Sequence, residues 1–84
     1  NYSEGDSEDI VNYGLAIKGM HISAFFIEKP EFIKISLRSE GDINVNAMAS
    51  KYFNGGGHKN ASGAHFYGSL QDAISLFEKA LSEL

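Results

Sequence analysis

Residues 32–38 read Phe32-Ile33-Lys34-Ile35-Ser36-Leu37-Arg38, and their alternation is the cleanest structural signal in the chain. Ile33, Ile35 and Leu37 fall on one side of an extended backbone, with Lys34, Ser36 and Arg38 on the other. This is the pattern of a β-strand with one apolar and one polar face. Just upstream, residues 21–28 are apolar on both parities, with Ile22, Ala24 and Phe26 set against Phe25 and Ile27. That predicts an interior strand. The link Lys29-Pro30-Glu31 is short, so the two strands are expected to form an antiparallel hairpin.

Working outward, Ser39-Glu40-Gly41-Asp42 reads as a turn, after which Asn44 is placed to cap a helix. Ile43 and Met48 have the spacing of a hydrophobic staple, and Val45, Met48, Ala49, Tyr52 and Phe53 form the buried stripe. Residues 64–68 are a candidate short strand. Ser69 and Asp72 resemble a capping box for a final helix, whose apolar positions are Leu70, Ala73, Ile74, Phe77, Leu81 and Leu84. At the other end, Asp6 or Ser7 can cap a helix starting near Glu8, with Ile10, Gly14 and Ile17 on one face and Lys18-Gly19 as its stop. The expected order is therefore α-β-β-α-β-α. This is an α/β fold with a small mixed sheet and about three helices, forming a single domain over residues 1–84.

Composition bounds the function. The chain has 84 residues, a net charge of −4 and no cysteine, and no segment approaches the length of a membrane span. Disulfides and thiolate metal sites are excluded, and a reducing, cytoplasmic setting is expected. An acidic chain does not coat nucleic acid non-specifically, so any phosphate binding must be local. The acids gather near the start and in the last helix. Residues 43–69 carry Lys51, His58, Lys59 and His65 and no acid at all. The chain starts at Asn1 without a signal-peptide pattern, which suggests a segment of a longer protein.

That basic segment holds Gly55-Gly56-Gly57-His58-Lys59-Asn60-Ala61-Ser62-Gly63. Bare glycine backbone can present successive N–H groups to an anion, with His58, Lys59, Asn60 and Ser62 adding side-chain donors. The run follows a helix C-terminus, whose dipole repels anions. A short helical turn over residues 58–62, closed by Gly63 as a left-handed cap, would restore a favourable N-terminus. The alternative is a flexible loop between helix and strand. Neither a P-loop nor a dinucleotide-binding fingerprint is present. Arg38, the single arginine, ends its strand beside Ser36 and Ser39. Its fork suits a phosphate or a base edge, or it is a solvated strand end. His21 and His65 read as ordinary residues rather than metal ligands, and Tyr52 and Tyr67 as core or as base-stacking groups. Ser62 with His58 lacks an orienting acid for nucleophilic catalysis.

Taken together, these residues resemble a known family. Gly55-Gly56-Gly57-His58-x-x-Ala61-Ser62-Gly63 is similar to the signature of the DHH-associated domain of the first type, the C-terminal substrate-binding domain of DHH-family phosphoesterases. Ser36-Leu37-Arg38-Ser39, Asp42-Ile43-Asn44-Val45-Asn46 and Asp9-Ile10-Val11-Asn12-Tyr13 resemble other segments of that domain, in the right order. The resemblance points to the branch of nano-RNases and phosphoadenosine-phosphate phosphatases, formerly labelled exopolyphosphatase-related. It implies a partner N-terminal Asp-His-His domain holding two manganese ions, and a short RNA or nucleotide substrate. It also admits a homodimer and implies no membrane. Arg38, Ser39, Gly55, Gly56, Gly57 and His58 carry over as substrate contacts. No catalytic residue and no cofactor site is expected in this chain, because the Asp-His-His motif is absent. A related domain appended to alanyl-tRNA synthetases implies the alternative, an RNA-binding module with no active site of its own.

Overall fold

The computed structural model describes residues 10–84, which form a five-stranded sheet and two helices. The strands are β1 (Ile10–Ile17), β2 (Met20–Glu28), β3 (Ile33–Ser39), β4 (Gly56–His58) and β5 (Ala61–Phe66). Helix α1 (Val45–Phe53) lies between β3 and β4, and α2 (Leu70–Ser82) closes the chain. The sheet order is β1-β2-β3-β5-β4. The α/β class holds.

Three expectations need correction. First, the helix expected from Glu8 to Lys18 is a strand over its described part; its proposed caps, Asp6 and Ser7, lie outside the described residues. Val11, Tyr13, Leu15 and Ile17 alternate with exposed Ile10, Asn12, Gly14 and Ala16, which is a period of two. Lys18-Gly19 does not stop a helix. It is a two-residue hairpin turn with φ of 53° and 81°, joining Ile17 to its register partner Met20. Positive φ at both central positions is the requirement of the turn that matches strand twist. Second, the sheet is not mixed: every pairing is antiparallel. Third, residues 58–62 form no helical turn and Gly63 is no cap. They are the hairpin between β4 and β5, with Gly63 inside β5 opposite Gly56.

The remaining elements follow the sequence closely. Asn44 caps α1 by accepting from the Ala47 N–H, and Ser69 caps α2 by accepting from the Asp72 N–H. Helix α1 ends at Asn54 in the left-handed conformation, and the Gly55 N–H reaches back to the Ala49 carbonyl at 2.9 Å. That six-residue return satisfies an otherwise orphaned helix carbonyl.

Both helices pack on one side of the sheet, α1 over β3, β4 and β5 and α2 against β2. On that side Ile22, Ala24, Phe26, Ile33, Ile35, Leu37 and Ala64 meet Val45, Met48, Phe53, Ala73 and Phe77 in one contiguous buried cluster. Phe77 is its keystone: its ring takes Phe26 and Tyr13 edge-on, at centroid distances of 5.7 and 5.3 Å. One core ties the described strands and helices together. The opposite face of the sheet has no helix over it among the described residues.

The β1–β2 turn offers a direct check. Lys18 pays for its left-handed backbone, whereas Asn adopts it readily. Lys18→Asn is expected to raise stability by up to about 1 kcal/mol in denaturant unfolding, since the residue is exposed. A helix at residues 8–18 would instead be weakened by that change.

Candidate functional site

Antiparallel register partners share a face, so pairing across the strands lays out the uncovered side of the sheet row by row. One row runs Gly14, Ser23, Arg38, Ala61, His58. The next runs Asn12, Phe25, Ser36, Gly63, and a third runs Ile10, Ile27, Lys34, His65. Arg38 and His58 therefore stand in one row, separated by the methyl group of Ala61. Two strand spacings put their backbones about 10 Å apart. Both are exposed, and the small residues between them leave the gap open.

The hairpin that delivers His58 is held by a set of polar contacts. Ser62, 5% exposed, donates through its hydroxyl to the His58 carbonyl at 2.6 Å. The Gly57 N–H donates to Asn46 Oδ1 of α1 at 3.0 Å. Asn60 spends its amide on Ser39 Oγ (2.9 Å) and on the carbonyls of Gly41 and Ile43. Lys59 Nζ reaches Asp42 Oδ1 at 3.2 Å, an exposed pair of small energetic weight. Of the four side chains the sequence suggested as donors around the glycines, Lys59, Asn60 and Ser62 are thus tied into the scaffold. His58 alone has no bonded side-chain partner among the described residues.

Ser39 and the glycines also have structural tasks. Ser39 sits opposite Ile22, away from the Arg38 row, and its hydroxyl donates to the Ile43 carbonyl at 2.6 Å. Gly55 and Gly57 have their N–H groups engaged by Ala49 and Asn46. A Cβ on Gly55 would lie 2.2 Å from the Gly63 carbonyl oxygen and 2.6 Å from Ala64 Cβ. At Gly57, with φ of 152°, it would lie 2.7 Å from the Ala61 carbonyl oxygen. The glycines allow a close approach of backbone to backbone. They do not form an open cup of N–H groups.

Electrostatics single out this face. Its three rows carry Lys34, Arg38, His58 and His65 and no carboxylate, in a chain of net charge −4, and the flanking row adds His21. Arg38 Nη1 donates to the Leu37 carbonyl at 2.9 Å, which steadies the guanidinium and leaves its other N–H groups available. At the margin, Glu40 is bound to His21: it accepts from the His21 N–H at 3.1 Å and lies 3.2 Å from Nδ1. The backbone N–H of His21, followed by its ring, holds the Glu40 carboxyl below the usual carboxylate range. Among the described residues no three His, Asp or Glu side chains converge on a point, so a metal pair has no ligand set here.

Sequence reasoning missed Phe25. Its strand was read as buried on both faces, yet Phe25 is 38% exposed, in the row next to Arg38. The apolar run alone does not say that one side of the sheet is bare. Two concavities among the described residues lie elsewhere, one between the β1–β2 turn and the ends of the helices and one beside the α1 C-terminus. Neither includes Arg38 or His58, so the candidate site is a platform.

The order of these residues is that of a known domain, matched over residues 1–83 by the DHHA1 domain family. The chain belongs to the DHHA1 family. A DHHA1 relative in Bacillus subtilis (strain 168), the bifunctional oligoribonuclease and PAP phosphatase NrnA, is 45% identical over 51 residues, covering 61% of this chain and 16% of that protein. The NrnA of Thermus thermophilus is 36% identical over 79 residues, covering 94% of this chain and 24% of its own length. The crystal structure of an exopolyphosphatase-related protein from Bacteroides fragilis superposes with a TM-score of 0.73 at 50% identity, over 81% of this chain and 20% of that one. The DHHA1 chain thus spans about a quarter or less of the relatives it matches.

Two outcomes are expected from this geometry. Gly55→Ala drives a methyl group into backbone and should cost about 1–3 kcal/mol in thermal or denaturant unfolding. Gly56→Ala, whose nearest atoms would be side-chain oxygens at 3.4 and 3.9 Å, should cost less. For Glu40, a depressed folded-state value means its contacts with His21 contribute stability above the unfolded carboxyl range. That contribution is lost as pH falls through the folded value. Glu40→Gln should therefore lower stability slightly near neutrality, leave it unchanged below the folded value, and so flatten the acid limb of a stability-against-pH curve.

Proposed function

We propose that this DHHA1 domain is the substrate-binding part of a phosphoesterase that hydrolyses short oligoribonucleotides or small nucleotide phosphates. The observation that carries this reading is the row, free of acids, that sets Arg38 and His58 on the uncovered face of the sheet. An exposed guanidinium grips a phosphate through two parallel N–H bonds, and an imidazole two strands away closes on another oxygen of the same group or on its neighbour. The family and the names of the NrnA relatives support the substrate class.

In this reading the chain binds and orients, and a companion N-terminal DHH domain carries out hydrolysis. Two manganese ions held there would activate water and stabilise the phosphoryl transfer. Among the described residues there is no ligand set for them. Their contribution is to hold the phosphate rigidly: Arg38 through the Leu37 carbonyl, and His58 through the Ser62 and Asn46 contacts that fix its hairpin. Rigid placement of the substrate lowers the entropy cost of reaching a reactive geometry.

Titration of the chain with adenosine 3′,5′-bisphosphate, followed by amide and side-chain shifts, tests the assignment. Perturbation should centre on Arg38, His58 and the residues between them. Arg38→Ala should weaken binding about 10- to 100-fold, the range for loss of a charge-assisted hydrogen bond, with the melting temperature nearly unchanged because the side chain is exposed. Equal affinity in Arg38→Ala and His58→Ala variants would sink the proposal. Single-stranded RNA that binds with no preference for short chains would favour the RNA-binding module instead.

A further inference from the structure

Arg38 and His58 account for a phosphate, yet the bare face continues past them. Phe25 lies in the next row, opposite Ser36 and diagonal to Arg38, at a backbone separation of about 7–8 Å. It sits mid-strand in β2, with strands on both sides, and is still 38% exposed. Towards β4 the floor beside it is Ser36 and Gly63, and the row nearer Arg38 offers Ser23 and Ala61. Those side chains are too small to cover the ring. Beyond it, in the third row, stands Lys34, four residues from Arg38 along the same strand and about 13 Å away. Lys34 has no bonded partner among the described residues. No carboxylate occupies any register position from the Arg38 row to the Lys34 row.

We infer that Phe25 is a base-stacking platform and Lys34 a second phosphate contact, so that the open face takes a single strand of at least two nucleotides laid along β3. The inference rests on the reading of Arg38 and His58 as the first phosphate contact. Three observations support it. An aromatic ring exposed at the centre of a sheet forfeits the burial that usually places it in a core, and every base offers it a π-face to stack on. Towards Arg38 and β5 the neighbours Ser23, Ser36, Ala61 and Gly63 are small and leave the ring uncovered on that side. The cations lie on either side of Phe25 along the strand direction, an alternation of positive charge and aromatic surface suited to single-stranded nucleic acid. The far end of the face is already paired internally: the Phe32 ring stacks on His65 at 4.1 Å, and Tyr67 leans on Phe32 at 5.9 Å. That closed cluster marks the end of the platform.

The experiment compares four probes on the chain by NMR titration: ribose 5-phosphate, AMP, the dinucleotide pApA, and its counterpart lacking both bases. The stacking position predicts that AMP binds about 5- to 150-fold more tightly than ribose 5-phosphate, the range for stacking one base. The Phe25 ring protons should shift upfield with AMP and pApA only. Phe25→Leu should remove the advantage of AMP while leaving ribose 5-phosphate affinity unchanged, and Phe25→Tyr should restore it. Lys34→Ala should weaken pApA and its base-free counterpart and leave AMP unaffected. If ribose 5-phosphate and AMP bind alike, with Arg38 and His58 responding and Phe25 still, the stacking platform is wrong and the phosphate contact stands. If Lys34→Ala leaves pApA affinity unchanged, the second contact is wrong. If none of the probes moves Arg38 or His58, the underlying assignment fails and this inference fails with it.

Discussion

The close approach of Gly55 to β5 is the constraint on which the rest of this molecule depends. Helix α1 ends above the sheet, and the chain must drop at once into the plane of β4. It does so through a point where the Gly63 carbonyl and Ala64 leave no room for any side-chain atom. Gly57 passes the same obstacle two residues later, against Ala61 and Ser62. Only because both positions lack Cβ can β4 pair with β5, and only that pairing brings His58 into the row of Arg38. Residues separated by twenty positions are joined through a steric requirement that neither of them shows. The adjoining polar knot, in which Asn60 bridges Ser39, Gly41 and Ile43, locks the end of β3 to the same hairpin.

This changes the meaning of a glycine-rich motif. Consecutive glycines next to a histidine suggest a concavity of free N–H groups, and the sequence read in isolation leads there. The backbone of Gly55 and Gly57 is instead consumed by Ala49 and Asn46. The glycines matter to the candidate site as the absence of bulk, and the exposed cationic groups beside them are side chains on strands. Ser39 belongs to the same scaffold, since its hydroxyl is committed to Ile43 on the helix-covered side.

What could be read from the sequence follows how local its cause is. Caps at Asn44 and Ser69, the alternation of β3 and the stripe of α2 depend on neighbours within a turn or two, and all were legible. The first strand was not, because Ile10, Gly14 and Ile17 also satisfy a helical spacing. The deciding facts were a two-residue turn at Lys18-Gly19 and pairing with a strand downstream. The direction of the sheet and the hairpin of β4 with β5 were equally hidden, being set by contacts distant along the chain. For the site, Arg38 and His58 stood out by residue type. Their shared row did not, and neither did the exposure of Phe25, because both are properties of pairing.

A one-sided sheet explains why these properties coincide. Among the described residues two helices cover one face of the sheet, and the composition of the other makes it tolerable to water. Ser23, Ser36, Ala61, Gly63 and Gly14 do this passively by being small. Lys34, Arg38 and His58 do it by charge. Had the only demand been solubility, acids would serve as well as bases, and the chain has more of them. The three rows from Arg38 to Lys34 hold no acid, and the carboxylate at their margin, Glu40, is tied to His21. An anion meeting those rows is attracted by Arg38 and Lys34 and meets no carboxylate among them. The acids elsewhere on the surface confine that attraction to one side, which suits a small phosphorylated ligand better than a long polyanion wrapping the molecule.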